Sequence, residues 1–361
     1  MRATSRRLLR AVLVLAGAGA GLLAAELALR AVQSGSPASS PSRLHLARPD
    51  RPWIYGLRPG ASAWIPAMGE VIYRVNAEGF RDRVRSRARP AQAFRMLVLG
   101  DSIAFGYGVE LRDAFPAQLQ AHVQSLVPGR AVEALNFGVS GYNPYTEAAL
   151  LEDVGADWQP NLVVAQFAIN DLGDPTLGFD VQTRLAVGEI PEAAYPDPRV
   201  RGDRFALPRP LLRACDRLRL CRALDGLVGA RALSRYRVPR PSPDDPAWHW
   251  LEAQYARMAR FAAAQGAGFA IVVFPWLEQI GGADGPVPEG FRALGERLGV
   301  EVVDLLPAFR SASGLASPLF LDIWHPTPLG HRVAGRETAE ALACAGLLPA
   351  PPPASCSRGP G

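Results

Sequence analysis

The sequence predicts an α/β fold in which a parallel sheet is covered by helices on both faces. Between residues 94 and 345, short apolar runs alternate with helical segments, which is the pattern of strand–helix–strand units. Several of the helical segments open on a capping residue followed by proline, as at Asn143-Pro144 and Thr327-Pro328. Strands of a parallel sheet are buried on both faces, and the short runs are accordingly apolar throughout.

The predicted elements follow one another in regular order. We predict five buried strands, at residues 96–99, 132–137, 162–168, 269–274 and 301–303. The helices between and after them are predicted at residues 113–126, 143–154, 245–266, 291–298 and 327–345.

The first 33 residues are predicted to be an export signal rather than part of the fold. Several arginines precede an apolar run at residues 11–25, which reaches residue 29 if Glu26 is tolerated. A membrane-spanning helix needs about 20 such residues and a signal-peptide core about 7–15. We predict an uncleaved signal anchor that makes the protein a single-pass membrane protein with an extracytoplasmic body. A cleaved signal peptide, which would give a secreted protein, is the alternative.

The rest of the chain divides by composition. Residues 34–49 are predicted to be a flexible tether, 50–93 a β-rich extension with turns at Gly60 and Gly79, and 349–361 a disordered tail. The main domain is predicted at 94–348, with a Pro- and Arg-rich insertion at 173–244 that forms a rim beside the functional edge of the sheet.

The basic residues exclude several classes of protein. All 39 of them are arginine, so a P-loop NTPase, a Schiff-base enzyme and a protein kinase are excluded, since each needs a lysine. The formal net charge of +5 does not indicate nucleic-acid binding, because the arginines are scattered. One dense run, at residues 81–89, contains Asp82 and is predicted to be a solvated connector.

Polar residues follow the predicted strands at the points where these end. Ser102 follows the first strand, Gly141 the second and Asn170 the third, while Asp322 and His325 come after the fifth. Carboxyl ends of parallel strands meet at one edge, so these residues are expected to gather there. Together they supply the nucleophile, base, orienting carboxylate and oxyanion donors of acyl transfer.

The spacing of these residues indicates a metal-free reaction. Asp322 lies close enough to His325 to hold one ring nitrogen while the other faces Ser102. Histidines and carboxylates do not cluster at ligand spacing elsewhere, so neither metal nor cofactor is expected, and His331 is interpreted as a packing residue. The chain contains no Gly-x-Ser-x-Gly, which excludes the α/β-hydrolase nucleophile elbow.

The chain has four motifs at these strand ends: Gly100-Asp101-Ser102, Gly141, Asn170 and Asp322-x-x-His325. Over residues 94–347 they resemble the motifs of the SGNH (GDSL-type) hydrolases. The resemblance implies a flavodoxin-like three-layer α/β/α sandwich and serine esterase or acyl-transfer chemistry. It implies Ser102 as nucleophile, His325 as base and Asp322 as its partner. It also implies an oxyanion hole made of the Ser102 and Gly141 backbone N–H groups and the Asn170 side chain.

The chain departs from the family pattern at Ala168, where the third block usually has glycine, and a methyl group there is expected to narrow the pocket. The N-terminal segment, the stretch at 75–81 and the insertion are similar to membrane-anchored bacterial members. We expect hydrolysis of a small acyl ester, such as an O-acetyl group on an extracytoplasmic carbohydrate. An O-acyltransferase acting on a cell-surface glycan, a lipase or thioesterase acting on lipid acyl esters, and a non-catalytic scaffold are the alternatives.

The remaining aspartates, tryptophans and cysteines carry smaller expectations. Asp101 and Asp171 are predicted to brace loops rather than bind cations, and Trp276 and Trp324 to line the pocket or pack in the core. An even number of cysteines in an exported protein permits two disulfides. The simplest pairs are Cys215–Cys221 and Cys344–Cys356, and the second is expected to form. The first cannot close if residues 211–222 make one unbroken helix.

Overall fold

The computed structural model describes residues 2–34, 44–48, 50–53, 55–64, 70–172, 246–282, 287–314 and 317–357. The chain divides into two compact units. The described part of the first unit is one helix, α1 (Arg2–Ser34). Among the residues that the structure describes, no helix has the length and apolar content needed to cross a membrane. The predicted tether is described only in part, and the insertion and the Cys215–Cys221 pair lie outside the described residues.

The described part of the second unit holds nine strands and eight α-helices, besides short 3-10 helices. The strands are β1 (His45–Ala47), β2 (Tyr55–Leu57), β3 (Ser62–Trp64), β4 (Ile72–Arg74), β5 (Phe94–Leu99), β6 (Val132–Asn136), β7 (Leu162–Phe167), β8 (Gly268–Val273) and β9 (Glu301–Asp304). The helices are α2 (Ser102–Phe105), α3 (Phe115–Leu126), α4 (Pro144–Val154), α5 (Pro246–Ala264), α6 (Leu277–Ile280), α7 (Val287–Leu298), α8 (Leu306–Ala312) and α9 (Pro328–Cys344).

The main sheet confirms the predicted fold class. It has five parallel strands in the order β6-β5-β7-β8-β9, flanked by helices. Every residue of β5 and β7 is buried, which explains why these runs are apolar throughout. Alternate residues such as Met96, Val98 and Val164 pack into one core cluster with side chains of α3 and α9.

Most helix starts lie where the capping residues predict them. The Asn143 side chain accepts from the backbone N–H groups of Tyr145 and Thr146 at the start of α4, and Thr327 caps α9 in the same way. Asp113, in contrast, does not cap α3. It lies in a short 3-10 helix (Leu111–Asp113), and α3 begins after Ala114.

The predicted tether and the C-terminal tail differ from the prediction, whereas the extension at 50–93 contains short strands as predicted. Residues 45–47, expected to belong to a flexible tether, form β1, which pairs antiparallel with β2. β3 and β4 form a second antiparallel pair. The tail, expected to be disordered, contains a 3-10 helix (Ala354–Ser357). In both places backbone hydrogen bonds or a covalent link hold segments whose composition alone resembles that of linkers.

The predicted pairing of Cys344 with Cys356 is confirmed, with Cα atoms 5.4 Å apart. The disulfide attaches the tail to the end of α9. Replacing both cysteines with serine is expected to lower the free energy of unfolding by about 2–3 kcal/mol, because the open chain gains loop entropy in the unfolded state. Denaturant unfolding of the double variant and of the reduced wild type checks this. Equal stability in all forms would contradict it.

The arginine run at residues 81–89 is not a solvated connector throughout. Arg81 is 1% exposed, and the Arg85 side chain is 6% exposed. Arg85 forms an ion pair with Asp82 at 3.4 Å and donates to the carbonyl of Ala134. Carboxylate and carbonyl oxygens thus satisfy guanidinium groups that the sequence pattern assigns to solvent.

Candidate active site

The nucleophile candidate lies at a sharp turn between β5 and α2. Ser102 is the first residue of α2, and the Asp101 side chain caps this helix by accepting from the N–H of Ile103 at 2.8 Å. Gly100 leaves no room for a side chain, because a Cβ atom there would lie 2.3 Å from Gln166 Oε1. The turn therefore places the Ser102 hydroxyl at the carboxyl edge of the sheet.

His325 reaches this hydroxyl from the loop that precedes α9. Its Nε2 lies 2.8 Å from Ser102 Oγ, and its Nδ1 lies 2.7 Å from Asp322 Oδ2. The other oxygen of Asp322 accepts backbone N–H groups from Trp324 and His325, at 3.0 and 2.8 Å. Ser102 and His325 are each 7% exposed. The arrangement is a continuous hydrogen-bonded chain from hydroxyl to imidazole to carboxylate.

The protonation of Asp322 decides which ring nitrogen of His325 carries the proton. Burial on its own would raise the pKa of Asp322, but the hydrogen bonds and charge of His325 outweigh it and hold this pKa below the usual 3.8. At neutral pH the carboxylate is ionised and only accepts hydrogen bonds. The Nδ1–H group therefore donates to Asp322, which leaves Nε2 as the acceptor for the Ser102 proton.

Asn170 and Gly141 lie in the loops after β7 and β6. The Asn170 Nδ2 donates one hydrogen bond to Asp101 Oδ2 at 2.7 Å, and a second amide hydrogen remains on the same nitrogen. Gly141 has a φ of +84°, and a Cβ atom there would lie 2.9 Å from Tyr55 Oη. Any other residue would strain this loop and clash with the tyrosine.

The loop-bracing role predicted for two aspartates agrees with the contacts that they make. Asp101 caps α2 and accepts from Asn170, while Asp171 Oδ2 accepts from the Ala168 N–H at 2.9 Å. Ala168 is 3% exposed and its side chain belongs to the main core cluster. The methyl group therefore packs among core side chains, and the expected narrowing of the pocket stays a prediction.

Three residues near the site were not predicted from the sequence, because no motif marks them. The Tyr107 ring stacks on the imidazole of His325, with ring centroids 4.0 Å apart. Gln166 Oε1 accepts from the N–H groups of Asp101 and Ala104, and a glutamine inside an apolar run is a possible signal of such a role. Glu147 is fully buried on α4; burial first, and then Asp101, raise its pKa well above the usual 4.5.

The two tryptophans take different places. Trp324 is 5% exposed and its ring meets that of His325 edge-on, with centroids 6.2 Å apart. Trp276 is 2% exposed and precedes α6. The first therefore lies beside the catalytic histidine, and the second is buried.

In the described part of the chain, no three His, Cys, Asp or Glu side chains lie together so that they could hold a metal ion. The metal-free reaction stays a prediction of the sequence.

His331 is a packing residue on α9, as expected. It is fully buried, and burial, followed by the charges of His325 and Arg81, lowers its pKa to about 3. Between that value and 6.5, the unfolded chain binds a proton that the folded protein does not. Stability should therefore fall as the pH drops through this window.

We expect His331 to cost the protein on the order of 3–4 kcal/mol of stability between about pH 6.5 and about pH 3.5. Denaturant unfolding at several pH values, with wild type, His331→Gln and the exposed control His249→Gln, measures the dependence. The His331→Gln variant should have the shallower acid slope. An unchanged slope would show that another group causes the acid sensitivity.

The parallel sheet, with a Ser102–His325 pair at its carboxyl edge, defines a serine hydrolase with an α/β fold. The model of the GDSL-like lipase/acylhydrolase family matches residues 98–333, and the chain belongs to this family. It is a carboxylic ester hydrolase with a catalytic Ser–His pair.

Several solved structures are similar to this chain at low sequence identity. TesA is 17% identical, with a TM-score of 0.40 and coverage of 69% of this chain and 97% of its own. A lipolytic protein of the G-D-S-L family from Desulfitobacterium hafniense is 13% identical, with a TM-score of 0.40 and coverage of 69% and 99%. A catalytic mutant of Axe2, an acetylxylan esterase from Geobacillus stearothermophilus, is 16% identical, with a TM-score of 0.41 and coverage of 69% and 94%. No curated protein matches the sequence significantly.

Proposed function

We propose that the enzyme hydrolyses a small acyl ester, such as an O-acetyl group on a carbohydrate outside the cytoplasm. The burial of the catalytic pair is the observation that supports a small acyl group, since Ser102 and His325 are each 7% exposed. Tyr107 covers one face of His325, and Trp324 stands beside it. A short acyl group fits such a confined carbonyl site better than a long chain does.

We assign the chemistry to a Ser102–His325–Asp322 triad. His325 Nε2 takes the proton of Ser102 Oγ as the oxygen attacks the ester carbonyl, and Asp322 stabilises the imidazolium. The imidazolium then gives its proton to the leaving alcohol, which leaves an acyl-enzyme on Ser102. Water, deprotonated by the same Nε2, attacks the acyl carbonyl and releases the acid and the free serine.

We assign the oxyanion hole to the backbone N–H groups of Ser102 and Gly141 and to the second amide hydrogen of Asn170. These groups follow three neighbouring strands, β5, β6 and β7, at one edge of the sheet. The hydrogen bond from Asn170 to Asp101 fixes the orientation of the amide before substrate arrives. A donor held in place needs no reorganisation when the negative charge develops.

Replacing Asn170 with alanine is expected to lower kcat about 10²- to 10³-fold while leaving KM within a few-fold, because one donor to the oxyanion is lost. Steady-state kinetics on p-nitrophenyl acetate measures both constants. Asn161→Ala, an asparagine at the opposite end of β7, is a matched control for loss of an amide. A kcat close to wild type in Asn170→Ala would remove Asn170 from the oxyanion hole.

Substrate class is tested with a series of p-nitrophenyl esters of increasing chain length and with an acetylated oligosaccharide, each with and without an unacetylated glycan acceptor. Acetate release from the oligosaccharide, with kcat/KM falling as the acyl chain lengthens, is the expected result. Preference for long acyl chains would favour a lipase. Transfer of acetyl to the acceptor faster than to water would favour the O-acyltransferase.

We infer from the first 33 residues that the catalytic unit acts outside the cytoplasm. The support is the arginine cluster followed by the apolar run at residues 11–25. Protease treatment of spheroplasts carrying a C-terminally tagged protein tests this. Digestion of the tag, or its recovery from the medium, is expected, and a tag protected until lysis would contradict it.

A further inference from the structure

The loop that follows the nucleophile carries a residue that contacts the catalytic base. Tyr107 lies between Gly106 and Gly108, which have left-handed φ values of +89° and +74°. Its ring is nearly parallel to the imidazole of His325, with an interplanar angle of 15° and centroids 4.0 Å apart. An aromatic face in this position limits rotation of the imidazole and attracts the imidazolium that forms during the reaction.

A buried arginine outside this loop donates hydrogen bonds to its main chain. The Arg81 guanidinium donates to the carbonyl oxygens of Phe105, Gly106 and Val109, with distances of 2.8, 2.5 and 2.7 Å. Arg81 is 1% exposed, and the nearby charge of Glu110 favours its charged form. The hydrogen bonds of its guanidinium group go to the main chain of the loop.

Tyr73 on β4 adds a second contact to this loop. Its hydroxyl oxygen accepts from the N–H of Gly108 at 2.8 Å, so the main chain is fixed on both sides of Tyr107. The guanidinium of Arg81 lies over the Tyr73 and Phe105 rings, 4.5 and 5.0 Å from their centroids. Burial lowers the pKa of Arg81 to about 10, so the group remains charged at neutral pH.

The loop requires a glycine where it packs against Arg81. A Cβ atom at Gly106 would lie 2.6 Å from Arg81 Nη1 and 2.7 Å from the Ala114 Cβ. The glycine and the arginine therefore fit each other, and displacement of one requires displacement of the loop. Movement of this loop would carry the Tyr107 ring with it.

We propose that Arg81 and Tyr73 are positioning residues of the active site, which act by holding Tyr107 in its stack on His325. Both precede the region that the family model matches, residues 98–333. The N-terminal extension thereby becomes part of the catalytic apparatus of this chain. The proposal rests on Ser102 and His325 acting as the catalytic pair.

The test begins with Tyr107→Leu and Tyr107→Phe on p-nitrophenyl acetate, whose hydrolysis does not depend on the natural substrate. Loss of the ring in Tyr107→Leu should lower kcat about 10-fold with little change in KM, and Tyr107→Phe should stay within about twofold of wild type. The acidic limb of the pH profile of kcat/KM should move to lower pH in Tyr107→Leu but not in Tyr107→Phe, because only the leucine variant loses the aromatic face that attracts the imidazolium. The titratable groups that face His325 there are Asp322, Tyr107 and His331.

Arg81 is tested by Arg81→Met and Arg81→Lys, with the exposed Arg83→Met as matched control. Arg81→Met should lower kcat about 10-fold, and Arg81→Lys should recover part of the loss, since a lysine still donates to carbonyls. Should Arg81→Met fail to fold, Tyr73→Phe, which removes the acceptor for the Gly108 N–H, takes its place with a smaller expected loss of about threefold.

A double-variant cycle distinguishes positioning from a purely structural role. Because Arg81 is proposed to act through Tyr107, the Arg81→Met/Tyr107→Leu variant should be no slower than Tyr107→Leu alone. Multiplying losses, or an unchanged pH profile in Tyr107→Leu, would overturn the proposal. Neither result would affect the carbohydrate ester proposed as substrate, which the oligosaccharide assay tests separately.

Discussion

Replacing Ser102 with alanine is expected to abolish ester hydrolysis, with kcat lowered on the order of 10⁴-fold or more. The Ser102 hydroxyl lies 2.8 Å from His325 Nε2, so its removal takes away the nucleophile that this base activates. Residual activity can come only from the oxyanion donors acting on a water molecule. Kinetics on p-nitrophenyl acetate and mass spectrometry of the acyl-enzyme measure the loss.

The exposed Ser125→Ala on α3 is the matched control for this change, and thermal unfolding checks that both variants keep their fold. A second variant, His325→Ala, should lose about as much activity as Ser102→Ala. The double variant should lose no more than either one, because the two residues act as a unit. Substantial turnover by folded Ser102→Ala would place the nucleophile elsewhere.

Replacing Asp322 with asparagine is expected to lower kcat about 10²- to 10⁴-fold, less than the loss in Ser102→Ala. The asparagine oxygen can still accept the backbone N–H groups of Trp324 and His325, so the loop should keep its shape. The amide nitrogen then faces His325 Nδ1 and donates to it. The ring proton moves to Nε2, and this nitrogen can then no longer accept the proton of Ser102.

Two measurements check this change of the His325 tautomer. The kcat of Asp322→Asn should fall while KM changes little, and thermal stability near neutral pH should be lower than in wild type because the ionised carboxylate is lost. Asp157→Asn, an exposed aspartate, should behave like wild type. The stability that ionised Asp322 contributes is present at neutral pH and is lost as the pH falls through its lowered pKa. The acid limb of stability should therefore be shallower in the variant. Wild-type kcat in Asp322→Asn would remove the aspartate from the relay.

Much of the fold and the core of the site follow from local features of the sequence. The buried strands are apolar runs, and Ser102, Asn170 and Asp322-x-x-His325 come after strands that share one sheet edge. Register and topology bring such residues together whatever their separation along the chain. Asn143 and Thr327 predict helix starts for an equally local reason, since a cap depends only on its own first turn.

The sequence says less where a contact is long-range. Nothing near Arg81 distinguishes it from its exposed neighbour Arg83, because its partners are carbonyl oxygens of another loop. Tyr107 is one aromatic residue among several until the fold sets it against His325. Strands as short as β1 carry no periodicity, and only their pairing partners define them.

The two halves of the catalytic pair are separated by 223 positions along the chain. Ser102 follows an interior strand near the start of the main sheet, and His325 precedes its last helix. Contacts between such distant positions form late, because the intervening loop entropy must first be overcome. A ribosome-bound chain that lacks its final segment cannot form the pair. Esterase activity consequently reports completion of the whole catalytic unit, and the unfinished chain is an inert precursor.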